Sequence, residues 1–137
     1  MYELNKISFR DALRMIEVVV AEAEKMEKHI AVAVCGPEGE SIAFLRMDRA
    51  AGAASTIAQN KAYTCAIDRK STRDMGDFMN NNARPPAFWG NMRITGFGGG
   101  FPILHDGWVI GGIGVSGLSE EEDEILARFG IDSVFGK

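Results

Sequence analysis

Apolar positions along this chain follow two periods, and each change of period predicts a new element. From Ser8 onward the period is helical. Leu13, Ile16, Val20 and Ala23 recur three or four residues apart, with Ala12, Val19 and Met26 beside them. The stripe is broad, which suits a helix lying on a sheet. Glu22, Glu24, Lys25, Glu27 and Lys28 form its wet side. Ser8 and Asp11 have the spacing of a capping box and mark the start. Ile30 to Cys35 is then a short apolar run, Gly36-Pro37-Glu38-Gly39-Glu40 turns the chain, and Ile42 to Met47 follows. This pattern predicts a β-hairpin.

Small residues from Ala50 to Ala54 lead into a second helix, predicted from Ser55 to Asp68, with Ile57, Ala58, Lys61, Ala62, Cys65 and Ala66 on one face. Ser71 and Asp74 repeat the cap spacing and open a shorter helix through Met75, Phe78 and Met79. Asn80-Asn81-Asn82 and then Pro85-Pro86 are expected to close it. The stretch from Asn80 to Asn91 reads as irregular, and loops this long in small domains are often functional or mobile. Gly98 to Gly117 reads as a strand, a tight turn at His105-Asp106-Gly107, and a second strand rich in glycine. A further short strand near Met92 to Thr95 fits the pattern. Ser119 and Glu122 give a third cap pair, and Gly130 is expected to end the last helix.

The predicted order is α-β-β-α-α-β-β-α. Strands joined by short turns are antiparallel neighbours. Two hairpins therefore predict an α+β domain over residues 1–137: a profilin-like antiparallel sheet of four to six strands covered by helices.

Composition narrows the function classes. A net charge of −4 argues against a nucleic-acid partner. Met1-Tyr2-Glu3-Leu4-Asn5 lacks the basic start and long apolar stretch of an export signal, and the apolar runs are too short to span a bilayer. A cytoplasmic protein with no membrane partner is expected. Cys35 and Cys65 fall outside any Cys-x-x-Cys spacing and read as free thiols.

Several constellations have chemical potential. Gly112-Ile113-Gly114-Val115-Ser116-Gly117 matches a dinucleotide fingerprint, but too few residues follow for a nucleotide fold, so no NAD is expected. Its glycines fit close approach of a helix, a second subunit or a ligand. Gly98, Gly99 and Gly100 could present backbone N–H groups to an anion, with Arg84, Arg93, Phe88 and Trp89 just upstream; a flexible entry to an edge strand is the other reading. His105 could move a proton or bind a metal, or it could be an exposed turn residue. Two distant histidines without ligand spacing make a structural zinc site improbable. Lys61 on its small apolar face either snorkels out or points into a pocket. If the fold brings Lys61, Arg93 and His105 together, they could serve an isomerase, hydrolase or decarboxylase acting on an organic acid.

Phe97-Gly98-Gly99-Gly100-Phe101-Pro102-Ile103, the Asp106-Gly107 turn, and Ile110 to Gly117 followed by Glu121-Glu122-Asp123-Glu124 resemble the GlcG/HbpS family, which includes the C-terminal domain of PduO. The helix from Ser8, the hairpin from Ile30 to Met47 and Lys61-Ala62-Tyr63-Thr64 extend the resemblance over nearly the whole chain. It implies a profilin-like fold, a homo-oligomer, and a haem-binding or accessory role beside a catabolic pathway. The expected ligand is then haem or another small anionic or planar molecule. It would be met by Lys61, Phe88, Trp89, Arg93, Gly98, Gly99, Gly100 and His105, with His105 a weak candidate for the haem iron. Arg84 to Trp89 and His105 look peculiar to this sequence.

Overall fold

Side-chain size separates the two faces of the central strand, and this separation sets the architecture. The computed structural model describes residues 1–136. Its elements are α1 (Phe9–Lys25), β1 (Ala31–Cys35), β2 (Ser41–Arg46), α2 (Gly52–Asp68), α3 (Thr72–Asn82), a 3-10 turn (Pro86–Trp89), β3 (Gly100–His105), β4 (Trp108–Ser116) and α4 (Glu120–Phe135). The strands form one four-stranded sheet in the order β2-β1-β4-β3. Every pairing in it is antiparallel.

β1 is buried along its whole length. Its residues alternate between faces, as a strand requires. Val32 and Val34 join Ile103, Ile113 and Val115 in a large-residue core shared with Met15, Ile16 and Val19 of α1 and Leu126 and Ala127 of α4. Ala31, Ala33 and Cys35 meet only small residues of α2: Ala54, Ala58, Ala62 and Ala66. Two helices therefore cover one face at ordinary distance, and one helix presses close to the other.

The three serine caps are formed. The Ser8, Ser71 and Ser119 hydroxyls accept from the N–H groups of Asp11, Asp74 and Glu122, and at Ser119 the reciprocal bond completes a capping box.

Five details differ from the sequence reading. α2 begins at Gly52 rather than Ser55, so most of the small residues expected to lead into it belong to its first turn. No strand forms at Met92 to Thr95. That backbone bonds to a helix side chain instead: the Thr64 hydroxyl donates to Arg93 O at 3.2 Å and accepts from Thr95 N at 3.1 Å. The asparagines do not stop α3. They form its last turn, and Ala83 ends it in the left-handed region at φ 52°. Gly130 does not end α4, which continues to Phe135; a Cβ at Gly130 would lie 2.8 Å from Val19 Cγ2, so the glycine seats α4 against α1. Leu13 is exposed, and Met15 takes the buried place in α1.

Candidate functional site

Close seating of α2 on β4 brings a lysine inside the protein. A Cβ at Gly112 would stand 2.5 Å from Ala62 O, and one at Gly114 would collide with Ala58 O. The glycine run read as a possible fingerprint is therefore the bed of a helix. α2 turns Lys61 inward with its small face, and the side chain is 2% exposed. Its ammonium donates to Val115 O at 2.7 Å and to Asp123 Oδ2 at 3.0 Å. Asp123 Oδ1 accepts from Leu118 N at 3.2 Å. Burial pushes the Lys61 ammonium below its usual range, against the pull of Asp123, and pushes the Asp123 carboxyl above its own. Lys61 thus neither snorkels out nor enters an open pocket.

The glycine turn closes over this pair. Gly99 adopts φ +127°, and a Cβ there would fall 2.7 Å from Lys61 Nζ. A side chain would have neither room nor a comfortable backbone at that point. The expected anion cradle is filled from within the chain: Gly98 N donates to Glu120 Oε1 at 2.7 Å and Gly100 N to Thr72 Oγ1 at 2.9 Å. Outside it, Arg73 grips Glu124 through two bonds of 2.8 and 3.0 Å. A carboxylate of the chain thus holds the place that a ligand carboxylate would need.

The other predicted residues lie elsewhere. The segment after α3 runs back along α2. Trp89 Nε1 donates to Asp68 Oδ1 at 3.4 Å near the C-terminal end of α2, and the indole meets Phe78 edge-on. Phe88 is exposed under the Arg84 guanidinium. Arg93 is exposed, stacks 3.9 Å over the Tyr63 ring and donates to Asn60 Oδ1. His105 is half a strand pair away, at the exposed tip of the β3–β4 turn, 3.4 Å from Asp106. Five residue steps along extended β3 separate it from Gly100, about 17 Å at the usual rise. Within one chain, Lys61, Arg93 and His105 do not share a surface. The convergence needed for an organic-acid enzyme is not supplied by this geometry.

None of Asp123, Glu120, Arg73 and Glu124 is among the site residues expected from the sequence, although Asp123 and Glu124 lie in the acidic run that carries the resemblance. For Asp123 a signal existed. It precedes Leu126, Ala127 and Gly130 by three, four and seven residues, and all of these are buried. Helical spacing alone marks it as the one buried acid in a run whose other members are half-buried or exposed.

Both cysteines are free and buried. Their thiols donate to the same acceptor, Ala62 O, each at 3.2 Å. Burial pushes the Cys35 thiol up to about 12 and raises Cys65 as well, so both stay protonated.

Comparison with known proteins gives a consistent result. A family model described as "Haem degrading protein HbpS-like" matches residues 7–132. An uncharacterized 15.0 kDa protein from the dhaT-dhaS intergenic region of Citrobacter freundii is 32% identical over 135 residues, covering 95% of this chain and 93% of that protein. A double mutant of HbpS from Streptomyces reticuli superposes with a TM-score of 0.89 at 28% identity, covering 100% of this chain and 92% of the other. A PduOC:Heme complex superposes with a TM-score of 0.87 at 26% identity, covering 95% and 96%.

Proposed function

The chain belongs to the HbpS-like family, and from that membership we propose that it is a cytoplasmic, homo-oligomeric accessory protein that binds haem or a related tetrapyrrole in support of a catabolic pathway. The observation that carries the reading is its likeness, over nearly the whole fold, to a domain solved with heme bound. Haem, once bound, supplies an iron whose axial ligands and surroundings set its chemistry.

The donor set in this chain fits such a group. A protein holds haem iron through imidazole, thiolate, thioether or phenolate. The two thiols are sealed under α2 and protonated, so they are not available as ligands. Both histidines are exposed and offer imidazoles. Cations near apolar surface, such as Arg46 beside Leu45, are suited to propionate groups.

A surface for self-association is also present. Ile125 and Phe129 on α4, with Leu104 and Phe135, are exposed beside Phe101, whose ring lies 4.3 Å from the Arg128 guanidinium. The same face carries Arg73, Glu121, Glu124 and Asp132. With both charge signs on one apolar face, two copies can pair acid with base about a twofold axis. The free thiols accord with a reducing compartment. Among the described residues no helix is long and apolar enough to cross a membrane.

Titration of the purified chain with hemin tests the proposal. A saturable Soret shift at a fixed ratio of hemin to chain is expected. Linear, unsaturable uptake would overturn it. Sedimentation velocity tests the assembly: wild type is expected to be larger than a monomer, and Phe129→Glu smaller than wild type.

A further inference from the structure

Two imidazoles are available in this chain, but their settings differ. His105 sits on a two-residue turn at the end of a hairpin and faces Asp106. His29 lines a groove of about 610 Å3 between the C-terminal end of α1 and strand β2. That volume lies within the range of small-molecule and cofactor sites.

The fold fixes His29 there from both sides. α1 ends with Glu27 in the left-handed region at φ 57°, and Lys28 N donates back to Ala23 O at 2.9 Å. Immediately after His29, Ile30 is fully buried and its N–H points at Met47 Sδ at 3.4 Å. The backbone of His29 is thus clamped between a closed helix end and the core, while the residue itself remains exposed. Across the groove, Val20, Leu45 and Met47 provide an apolar wall. β2 is an edge strand, so the groove is open on its outer side.

Charge in the groove suits an amphiphile better than a simple anion. Lys28 and Arg46 bring two cations, Lys28 lying 3.9 Å from Glu122 Oε2 at a partly exposed pair, but Glu24, Glu27 and Asp48 also line it. A small free anion would meet the acids as readily as the bases. A planar apolar body with carboxylates at one edge can cover the wall and place those carboxylates at the cations. Arg46 spends Nε and Nη2 on Ala50 O, at 3.1 and 2.7 Å, which leaves Nη1 uncommitted by that contact.

We propose that the groove between α1 and β2 is the tetrapyrrole site of this chain, with His29 as the imidazole that meets the iron and Lys28 and Arg46 as propionate partners. The inference rests on the haem-binding reading above and moves the expected ligand from His105 to His29. Lys61 has no part in it, because its ammonium is committed to Val115 and Asp123.

Hemin titration followed by Soret and visible spectra, and by electron paramagnetic resonance of the ferric form, tests it on the full chain. His29→Ala should weaken binding roughly tenfold or more. It should also change the resonance signature of the iron, and added imidazole should restore the wild-type spectrum. Leu45→Glu, which leaves His29 in place, should weaken binding by putting a carboxylate on the apolar wall. Wild-type affinity and spectrum in both variants, or loss in His105→Ala with His29→Ala unchanged, would overturn the groove assignment and leave haem binding standing. Failure of wild type to bind hemin saturably would overturn the parent reading. Circular dichroism checks that each variant is folded.

Discussion

Lys61 and Asp123, 62 positions apart in sequence, meet at 3.0 Å with both side chains shielded from water. The contact joins α2 to α4 past the end of β4, where Lys61 also takes the Val115 carbonyl. A buried ion pair of this kind is weak evidence for net stability, but removing one partner strands the other. Lys61→Met and Asp123→Asn are each expected to cost about 3–5 kcal/mol in urea unfolding at neutral pH. The double variant should cost well below the sum. Additive losses would show that the two groups do not act as a pair.

Acid should act on the start of α4 through Glu122. Hydrogen bonds from the Ser119 backbone and hydroxyl hold this carboxyl below its ordinary 4.5. Because the folded value is the lower one, its contribution is full above the ordinary 4.5 and is lost as pH falls from there through the lower folded value. Glu122→Gln should therefore melt below wild type at neutral pH, with the gap closing in acid. Thermal melts from pH 7 to pH 3 read this directly, and a constant gap would contradict it.

Gly114 and Gly52 should respond to alanine in opposite ways. At Gly114 the added methyl collides with the α2 backbone at Ala58, which cannot yield without lifting the helix. A loss of about 1–3 kcal/mol or more is expected. At Gly52, in the first turn of α2, nothing lies within 4 Å of the added carbon. Alanine there should be neutral or stabilising by up to about 1 kcal/mol. Equilibrium denaturation of the two variants makes the comparison.

The cysteines should be unreactive in the folded chain. Both are buried and protonated. A thiol reagent at neutral pH should label neither rapidly, and both should react once denaturant is added. Rapid labelling of one thiol in the native protein would show that α2 opens locally.

What could be read from the sequence was local. The caps at Ser8, Ser71 and Ser119 depend on residues three apart, and all three formed. Hairpin order was legible because a short turn makes the two strands it joins antiparallel neighbours. Features set by tertiary contacts were not. Gly130 looks like a helix end until α1 is seen against it. Met92 to Thr95 looks like a strand until Thr64 takes its polar groups. The Gly98 turn looks like an empty anion cradle, because no spacing rule links it to Glu120, 22 residues later. Lys61 was visible as an anomaly on an alanine face, but only the fold supplies its partner.

The carboxylate of Glu120 on the Gly98 amide has a consequence for affinity. It is a tethered competitor, anchored at the first turn of α4 and never able to diffuse away. Against a competitor on so short a leash, effective at a concentration of roughly millimolar or above, a free organic acid at micromolar levels would lose the contest for that amide. The glycine turn is in this sense self-occupied: its first amide is already answered by the chain's own carboxylate.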